Sequence, residues 1–293
     1  MTVNITDIKR FAVHDGDGIR TTVFFKGCPL QCVWCHNPEA INAKRQIAFY
    51  EHKCVLCGKC CEVCENHKII DGKHLIDREK CVLCGKCVDV CGRDALIIYG
   101  KTVDTDEICK ALYEDKDFYE TSGGGITLSG GECLLQPDAC REILKNCKQN
   151  GINTAVDTCG AVPYENILKV LPYTDVFLYD IKAVDEDAHI KCTGASNKLI
   201  LENLKKIDAA GKSVEIRYPY VPGFNDNQAE KICGFLKGIK HLTKIRVLAY
   251  HDFARSKYNA LSAEDTLPVT LPEADKLAEV RQMFINSGFK CTE

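Results

Sequence analysis

The sequence predicts an α/β protein, a partial barrel of six β/α units that is interrupted by a small cysteine-rich insert. Two observations lead to this prediction. Short apolar runs alternate with amphipathic helical stretches, as in parallel βαβ units. Between residues 51 and 99 closely spaced cysteines replace this alternation, and the octapeptide KCVLCGKC occurs twice, beginning at Lys53 and at Lys80. The insert is therefore an internal duplication, and residues 1–50 and 100–293 are predicted to form the barrel.

The apolar runs define the strands of the predicted barrel, and several of the helical stretches between them end at glycine. The predicted strands are residues 21–27, 125–130, 153–158, 175–182, 214–221 and 244–251. The predicted helices are residues 104–119, 136–150, 197–210, 228–239 and 272–287. In such barrels the ligand site lies at the C-terminal ends of the strands. Candidate site residues are therefore sought there.

Composition and charge limit the classes of function that this chain can have. The 38 basic and 41 acidic residues give a net charge of -3, and no basic run is long enough to follow a nucleic-acid backbone. The N-terminal residues lack an apolar signal segment, so we expect a soluble, cytoplasmic protein. Twenty cysteines are compatible with disulfides, zinc or iron–sulfur clusters. Without a secretory signal the thiols should stay reduced, which favours metal ligation.

The first cysteine group, CPLQCVWC, directly follows a predicted strand. Its thiols at Cys28, Cys32 and Cys35 can surround one inorganic centre and leave one iron open. An open iron can chelate the amino and carboxylate groups of a substrate and pass an electron to an adjacent sulfonium, which is the chemistry of S-adenosylmethionine cleavage. A zinc site would need a fourth ligand, and His36 is too close in sequence to supply it comfortably.

The segment FAVHDGDGIRTTVFFKGCPLQCVWCHNPE, from Phe11 to Glu39, resembles the signature of the activating enzymes of glycyl radical enzymes, a branch of the radical S-adenosylmethionine (radical SAM) superfamily similar to pyruvate formate-lyase activating enzyme. Asp17 departs from it, because the family has proline there. The resemblance implies a catalytic [4Fe-4S] cluster on Cys28, Cys32 and Cys35. It also implies a 5'-deoxyadenosyl radical that removes a Cα hydrogen from a partner's glycine, with Asp15, His36 and Asn37 near that glycine.

Polar residues at the predicted strand ends match family positions for S-adenosylmethionine. The resemblance implies that the methionyl amino group binds at SGGE, that Lys182 faces the carboxylate, and that a monovalent cation, sodium or potassium, lies nearby. A plain strand-to-helix turn would equally explain SGGE, and solvated strand ends would equally explain the polar residues that follow the other strands. Trp34 would pack on adenine or shield the cluster. The implied cofactor-binding residues are Trp34, Gly130, Gly131, Glu132, Asp157, Thr158, Asp180, Lys182, Arg217 and His251.

The insert carries the C-x2-C-x2-C-x3-C spacing twice, which is the pattern of bacterial two-cluster ferredoxins. In that fold the fourth cysteine of each run ligates the other cluster. One predicted ligand set is Cys54, Cys57, Cys60 and Cys91, and the other is Cys81, Cys84, Cys87 and Cys64. Cys61 is surplus. Clusters ligated only by cysteine have no open iron, so this ferredoxin-like insert is predicted to carry electrons.

The sequence thus predicts a radical SAM oxidoreductase with three [4Fe-4S] clusters and S-adenosylmethionine, which acts as a monomer in anaerobic metabolism. The expected partners are a glycyl radical enzyme and a low-potential ferredoxin or flavodoxin. Overall resemblance favours trans-4-hydroxy-L-proline dehydratase as the target over a choline lyase or an arylacetate decarboxylase. Two alternatives stay open: a radical SAM maturase of another peptide or small molecule, and a non-catalytic electron-transfer protein.

Overall fold

The computed structural model describes residues 1–292, and its largest element is a nine-stranded sheet of order β13-β12-β11-β10-β9-β8-β2-β1-β7. The strands are β1 (Thr2–Ala12), β2 (Arg20–Phe25), β3 (Gln46–Phe49), β4 (His67–Ile70), β5 (Lys73–Ile76), β6 (Leu96–Tyr99), β7 (Lys101–Asp104), β8 (Gly125–Gly130), β9 (Asn153–Thr158), β10 (Val176–Asp180), β11 (Ser213–Tyr220), β12 (Leu242–Ala249) and β13 (Cys291–Thr292). The helices are α1 (Pro38–Ile41), α2 (Lys59–Val63), α3 (Lys86–Asp89), α4 (Thr105–Tyr113), α5 (Lys116–Ser122), α6 (Pro137–Gln149), α7 (Tyr164–Val170), α8 (Glu186–Thr193), α9 (Lys198–Ala209), α10 (Ala229–Leu236), α11 (Arg255–Leu261) and α12 (Ala274–Asn286). Short 3-10 turns span Glu51–Lys53, Cys133–Leu135 and Leu171–Tyr173.

The six predicted barrel strands form one parallel series, β2-β8-β9-β10-β11-β12. In β8 the successive side chains of Ile126, Thr127 and Leu128 are fully buried, as expected for a parallel strand covered on both faces. Helix α6 packs its apolar side, including Ile143 and Leu144, into the same core. The predicted α/β partial barrel is confirmed.

Two features of the barrel differ from the sequence prediction. The predicted helix 104–119 is divided into α4 and α5 near Asp115, whose fully buried carboxylate accepts hydrogen bonds from Arg10 and Thr21. The predicted helix is therefore interrupted where this buried carboxylate binds side chains from other elements. Strand β1, which pairs antiparallel with β2 and β7, was not predicted. Its first residues alternate in burial, but its second half is largely exposed.

The cysteine-rich insert is enclosed by β3 and β6, which pair antiparallel from Gln46 with Tyr99 to Phe49 with Leu96. Between them lie α2, the β4–β5 hairpin and α3. The two KCVLCGKC copies have the same local structure, because α2 begins after Gly58 (φ 80°) and α3 begins after Gly85 (φ 88°). Among residues 1–292, no helix is both long and apolar enough to cross a membrane.

Candidate active site

A cavity of about 620 Å³ opens at the C-terminal ends of the barrel strands. It brings together most of the predicted site residues, although they come from separate strands and from the cysteine loop. The predicted residues that line it are Cys28, Cys32, Trp34, Cys35, His36, Asn37, Gly130, Gly131, Asp157, Thr158, Asp180, Lys182, Arg217 and His251. Glu132 and Asp15 do not line it.

The cysteine loop is fixed to the barrel by its backbone. The amide of Val33 donates to the Cys192 carbonyl at 3.0 Å, and the amide of Cys35 donates to the Cys32 carbonyl at 3.0 Å. Burial raises the pKa of Cys32 and of Cys35 to about 12. A hydrogen bond with Cys159 lowers the pKa of Cys28. Three thiols therefore face one cavity, two of them in surroundings that disfavour an uncompensated thiolate.

The SGGE turn supports the cysteine loop. A Cβ on Gly131 would lie 2.3 Å from the Gly27 carbonyl oxygen, and Gly130 has φ +117°. Both glycines therefore allow β8 to approach the end of β2 closely. The fully buried Glu132 carboxylate accepts hydrogen bonds from the Thr158 hydroxyl at 2.8 Å and from the Cys159 amide at 2.9 Å. Glu132 thus joins two strand ends behind the cavity wall.

Four charged side chains form two pairs in the cavity. Lys182 Nζ donates to Asp180 Oδ2 at 2.7 Å, and Arg217 Nη1 lies 3.0 Å from Asp157 Oδ2. Burial raises the pKa of Asp157 to about 6 against the opposing effect of Arg217. Burial opposes the charge of Lys182, but Asp180 and the neighbouring thiols raise its pKa. The paired cations and carboxylates can recognise a zwitterionic amino acid group.

Two polar groups around the cavity have unused hydrogen-bonding capacity. Arg217 Nε and His251 Nδ1 are buried and have no hydrogen-bond partner among residues 1–292. The His251 ring stacks on His36 with centroids 3.9 Å apart, and His36 Nε2 bonds to the His251 carbonyl oxygen at 2.8 Å. Since unpaired buried polar atoms are costly, these atoms favour a polar ligand in the cavity. Trp34 is buried and packs edge-on against Phe224.

Cysteines from both halves of the repeat approach one another at two places in the insert. Cys54, Cys57, Cys60 and Cys91 line one cavity. In the other group, the charges of Cys64 and Cys81 both act on Cys87, whose pKa is raised to about 11 mainly by burial. Cys61 lies near the first group, with its sulfur within 4.8 Å of the ligand atoms of Cys60 and His74.

Comparison with known proteins identifies the family. Residues 22–236 match the model of the radical SAM superfamily. The chain belongs to the radical SAM superfamily. Within it the chain is 41% identical, over 97% of both chains, to the trans-4-hydroxy-L-proline dehydratase activating enzyme of Clostridioides difficile. It is 40% identical to the choline trimethylamine-lyase activating enzyme of Oleidesulfovibrio alaskensis, over 89% of this chain and 87% of that one.

A solved domain of a pyruvate-formate lyase-activating enzyme from Bacteroides vulgatus is similar in structure, with a TM-score of 0.50 and 30% identity, covering 58% of this chain and 98% of that chain. These relatives make the chain an activating enzyme of the glycyl radical enzyme group within the radical SAM superfamily. Radical SAM enzymes use a [4Fe-4S] cluster and S-adenosylmethionine, so the chain is an enzyme that requires both.

The sequence analysis gave no role to three polar residues that line the cavity, His14, Cys159 and Arg281. Cys159 lines the cavity, and its Sγ lies 3.0 Å from Glu132 Oε2. Ser129, which precedes the two glycines, donates to Asp157 Oδ2 at 2.6 Å. Cys159 directly follows the Asp157–Thr158 pair at a strand end, and that position was the available signal.

Proposed function

We propose that the chain binds a [4Fe-4S] cluster at Cys28, Cys32 and Cys35, cleaves S-adenosylmethionine reductively there, and activates a partner enzyme by removing a Cα hydrogen from one of its glycines. The observation that carries the proposal is the convergence of three thiols with the Asp180–Lys182 and Asp157–Arg217 pairs on one cavity of about 620 Å³. Three thiols leave one coordination position for substrate. A zinc or purely structural site would not need the adjacent charged pairs.

The side chains fit the methionyl end of S-adenosylmethionine. Lys182 is buried and charged, so it would bind the carboxylate, while Asp180 holds the lysine in position. The unpaired Nε of Arg217 and Nδ1 of His251 offer further polar contacts. Trp34 and the stacked His36 and His251 rings provide apolar surfaces for a purine. When bound, the cluster supplies one electron and S-adenosylmethionine supplies the 5'-deoxyadenosyl radical.

The residues behind the cavity also hold the strand ends that face the ligand in place. Glu132 ties Thr158 and Cys159 together behind the cavity, so the strand ends that face the ligand are fixed before it binds. Such preorganisation lowers the cost of aligning the reacting groups. His36 and Asn37 lie on the cavity wall, whereas Asp15 accepts a hydrogen bond from Thr22 at 2.8 Å. We assign His36, Asn37 and Asp15 to the approach of the partner's glycine.

We further propose that residues 51–99 are a ferredoxin-like unit with two more [4Fe-4S] clusters, for three in all, and that residues 1–50 and 100–293 form the barrel unit. The shared cavity of Cys54, Cys57, Cys60 and Cys91 supports the crossed ligand pattern. The grouping of Cys64 with Cys81 and Cys87 supports it independently. A sodium or potassium ion beside Asp157 and Thr158 has less support, because Arg217 already lies against that carboxylate.

The first candidate target is trans-4-hydroxy-L-proline dehydratase. The activating enzyme of that dehydratase matches this chain over 97% of both lengths, whereas the choline trimethylamine-lyase activating enzyme matches 89% of this chain. The enzyme is proposed to work as a monomer with a ferredoxin or flavodoxin as reductant and without nucleic acid.

The test uses anaerobically reconstituted protein with reductant and S-adenosylmethionine. We expect a glycyl radical signal in electron paramagnetic resonance with wild-type trans-4-hydroxy-L-proline dehydratase and no signal with a variant whose radical-site glycine is alanine. A signal only with choline trimethylamine-lyase would change the target. No signal with either, together with 5'-deoxyadenosine formation on a small peptide, would indicate a maturase.

A further inference from the structure

The two halves of the insert carry the same backbone turn with different side chains. The amide of Cys54 donates to the Glu51 carbonyl at 2.9 Å, and the amide of Cys81 donates to the Arg78 carbonyl at 3.4 Å. Glu51 and Arg78 therefore occupy equivalent positions, three residues before the first cysteine of each run. Glu51 is exposed, whereas Arg78 is half-buried. The two copies of the repeat therefore differ at this position, with a solvated acid in the first and a half-buried arginine in the second.

Arg78 joins the second half of the insert to the barrel. Its Nη2 donates to the Ala260 carbonyl of α11 at 2.7 Å, and its Nη1 donates to the Ile47 carbonyl of β3. The charge of Cys81 acts on the guanidinium and raises its pKa, although burial lowers that pKa overall. One side chain from the second half thus joins the strand that leads into the insert to a helix of the barrel.

Helix α11, which accepts the hydrogen bond from Arg78, also contacts the catalytic cysteine loop. The Tyr258 hydroxyl donates to the Cys35 carbonyl at 3.2 Å. Lys257 Nζ donates to the His36 carbonyl at 3.1 Å and to Glu39 Oε1 at 2.6 Å. The helix therefore contacts Arg78 through Ala260, near its C-terminal end. It contacts the backbone around Cys35 through Tyr258 and Lys257, about one turn earlier. This is a short covalent and hydrogen-bonded connection between two groups of cysteines.

The first half of the insert lies farther along the β3–β6 pair. Its cavity is lined by Phe49 and Leu96, which pair at the end of the ladder opposite Gln46 and Tyr99. Arg78 instead bonds to Ile47, near the end that joins the barrel. Tyr50, the residue after β3, also packs on Ala260 and Leu261 of α11. The second half is distinguished by the Arg78 side chain, whose hydrogen bonds reach both β3 and α11.

We propose that electrons enter the barrel from the insert group formed by Cys64, Cys81, Cys84 and Cys87, and that Arg78 is the positioning residue that fixes the second half of the insert against α11. The inference rests on the proposed function, since it requires clusters at both places. For each S-adenosylmethionine cleaved, one electron leaves the insert group and one is gained at the Cys28, Cys32 and Cys35 site. A low-potential ferredoxin or flavodoxin restores it.

The test is a transient experiment without added reductant. Wild-type protein and Arg78→Ala are reconstituted, fully reduced, freed of reductant and mixed with excess S-adenosylmethionine. The first equivalent of 5'-deoxyadenosine uses the electron already at the catalytic site, and later equivalents need electrons from the insert. We expect an unchanged first equivalent in Arg78→Ala and later equivalents slowed about tenfold or more, because small displacements between reacting groups cost large factors in rate. Electron paramagnetic resonance should show insert clusters that stay reduced in the variant.

Glu51→Gln, at the equivalent turn of the first half, is the matched control and should behave as wild type. Arg78→Lys keeps the charge but cannot reach both carbonyls, so it should show the same slow later phase; it also replaces Arg78→Ala if that variant loses iron. Later equivalents at the wild-type rate in Arg78→Ala, or a wild-type protein that stops after one equivalent, would overturn the inference. Absence of the first equivalent in the wild type would instead refute the proposed function.

Discussion

The barrel site and the insert are both built from cysteine thiols, but their surroundings differ. In the barrel, Cys32 and Cys35 share a cavity with buried charged side chains, among them Lys182 and Arg217. In the insert, Cys57 and Cys84 are exposed, and the cavity of the first group is lined largely by apolar side chains and backbone. A polar ligand can be oriented only where fixed charges surround the thiols. The comparison therefore supports substrate binding in the barrel and fits the electron-transfer role proposed for the insert.

The largest expected difference between the regions is the effect of losing one thiol. Cys32→Ala should abolish both 5'-deoxyadenosine formation and the change that S-adenosylmethionine produces in the spectrum of the catalytic cluster. Cys84→Ala should lose iron but keep that spectral change, because the barrel site is intact. The measurement is electron paramagnetic resonance of each reconstituted variant with and without S-adenosylmethionine. A spectral change that survives in Cys32→Ala would break the distinction.

Breaking the buried Asp180–Lys182 ion pair of the barrel should lower the free energy of unfolding more than breaking an exposed ion pair. Lys182→Met leaves the Asp180 carboxylate without its partner and should lower the free energy of unfolding by about 3 kcal/mol, as for other broken buried pairs. It should also weaken S-adenosylmethionine binding. Lys231→Met, which removes an exposed lysine 2.8 Å from Asp185, is the control and should cost about 1 kcal/mol or less. Equal losses in urea unfolding would contradict the role of burial.

Glu132 should act through the strand ends that it joins. Glu132→Gln places an amide where donors from Thr158 and Cys159 converge, so a buried donor is left unpaired and the free energy of unfolding should fall by about 1–3 kcal/mol. Glu120→Gln, on the exposed surface of α5, should change it by less than about 0.5 kcal/mol. Thermal unfolding of the two variants compares them directly. A fully stable Glu132→Gln protein would show that this carboxylate is not structural.

The smallest consequence for function concerns thiol reactivity in the iron-free protein. Cys32 and Cys35 have pKa values of about 12, raised by burial. At about pH 8 only about one in 10⁴ of such thiols is ionised, and the thiolate is the nucleophile. Iodoacetamide should therefore label the exposed Cys57 and Cys84 first, and labelling of Cys32 and Cys35 should rise with pH towards 12. Peptide mass spectrometry over a pH series reads out this order, which equal labelling at about pH 8 would disprove.

Much of this molecule could be predicted from local sequence. Short apolar runs that alternate with helical stretches predicted the six parallel strands, and the strand ends bring Asp157, Lys182 and Arg217 to one cavity. The reason is geometric: parallel strands end at the same edge of a sheet, so residues far apart in sequence meet there. Cysteine spacing similarly predicted that Cys28, Cys32 and Cys35 lie together, and all three line the cavity.

Contacts that depend on tertiary packing could not be predicted. Arg78 and Ala260 are 182 residues apart, and neither has a local pattern that indicates the contact. Cys159 carries no ligand spacing, so only its position in the fold shows that it borders the site. Asp115 interrupts a periodic helix because a distant arginine and threonine bind its carboxylate. The fold class follows from periodicity, whereas these residues acquire their surroundings only when the chain is packed.

The fate of one hydrogen atom tests the proposed reaction most directly. The partner glycyl radical enzyme is prepared with α-deuterated glycine and incubated anaerobically with the reduced chain and S-adenosylmethionine. If a radical made at Cys28, Cys32 and Cys35 removes the glycine hydrogen, mass spectrometry will find deuterium in 5'-deoxyadenosine in step with the glycyl radical signal. Unlabelled 5'-deoxyadenosine alongside a full glycyl radical signal would contradict the proposal.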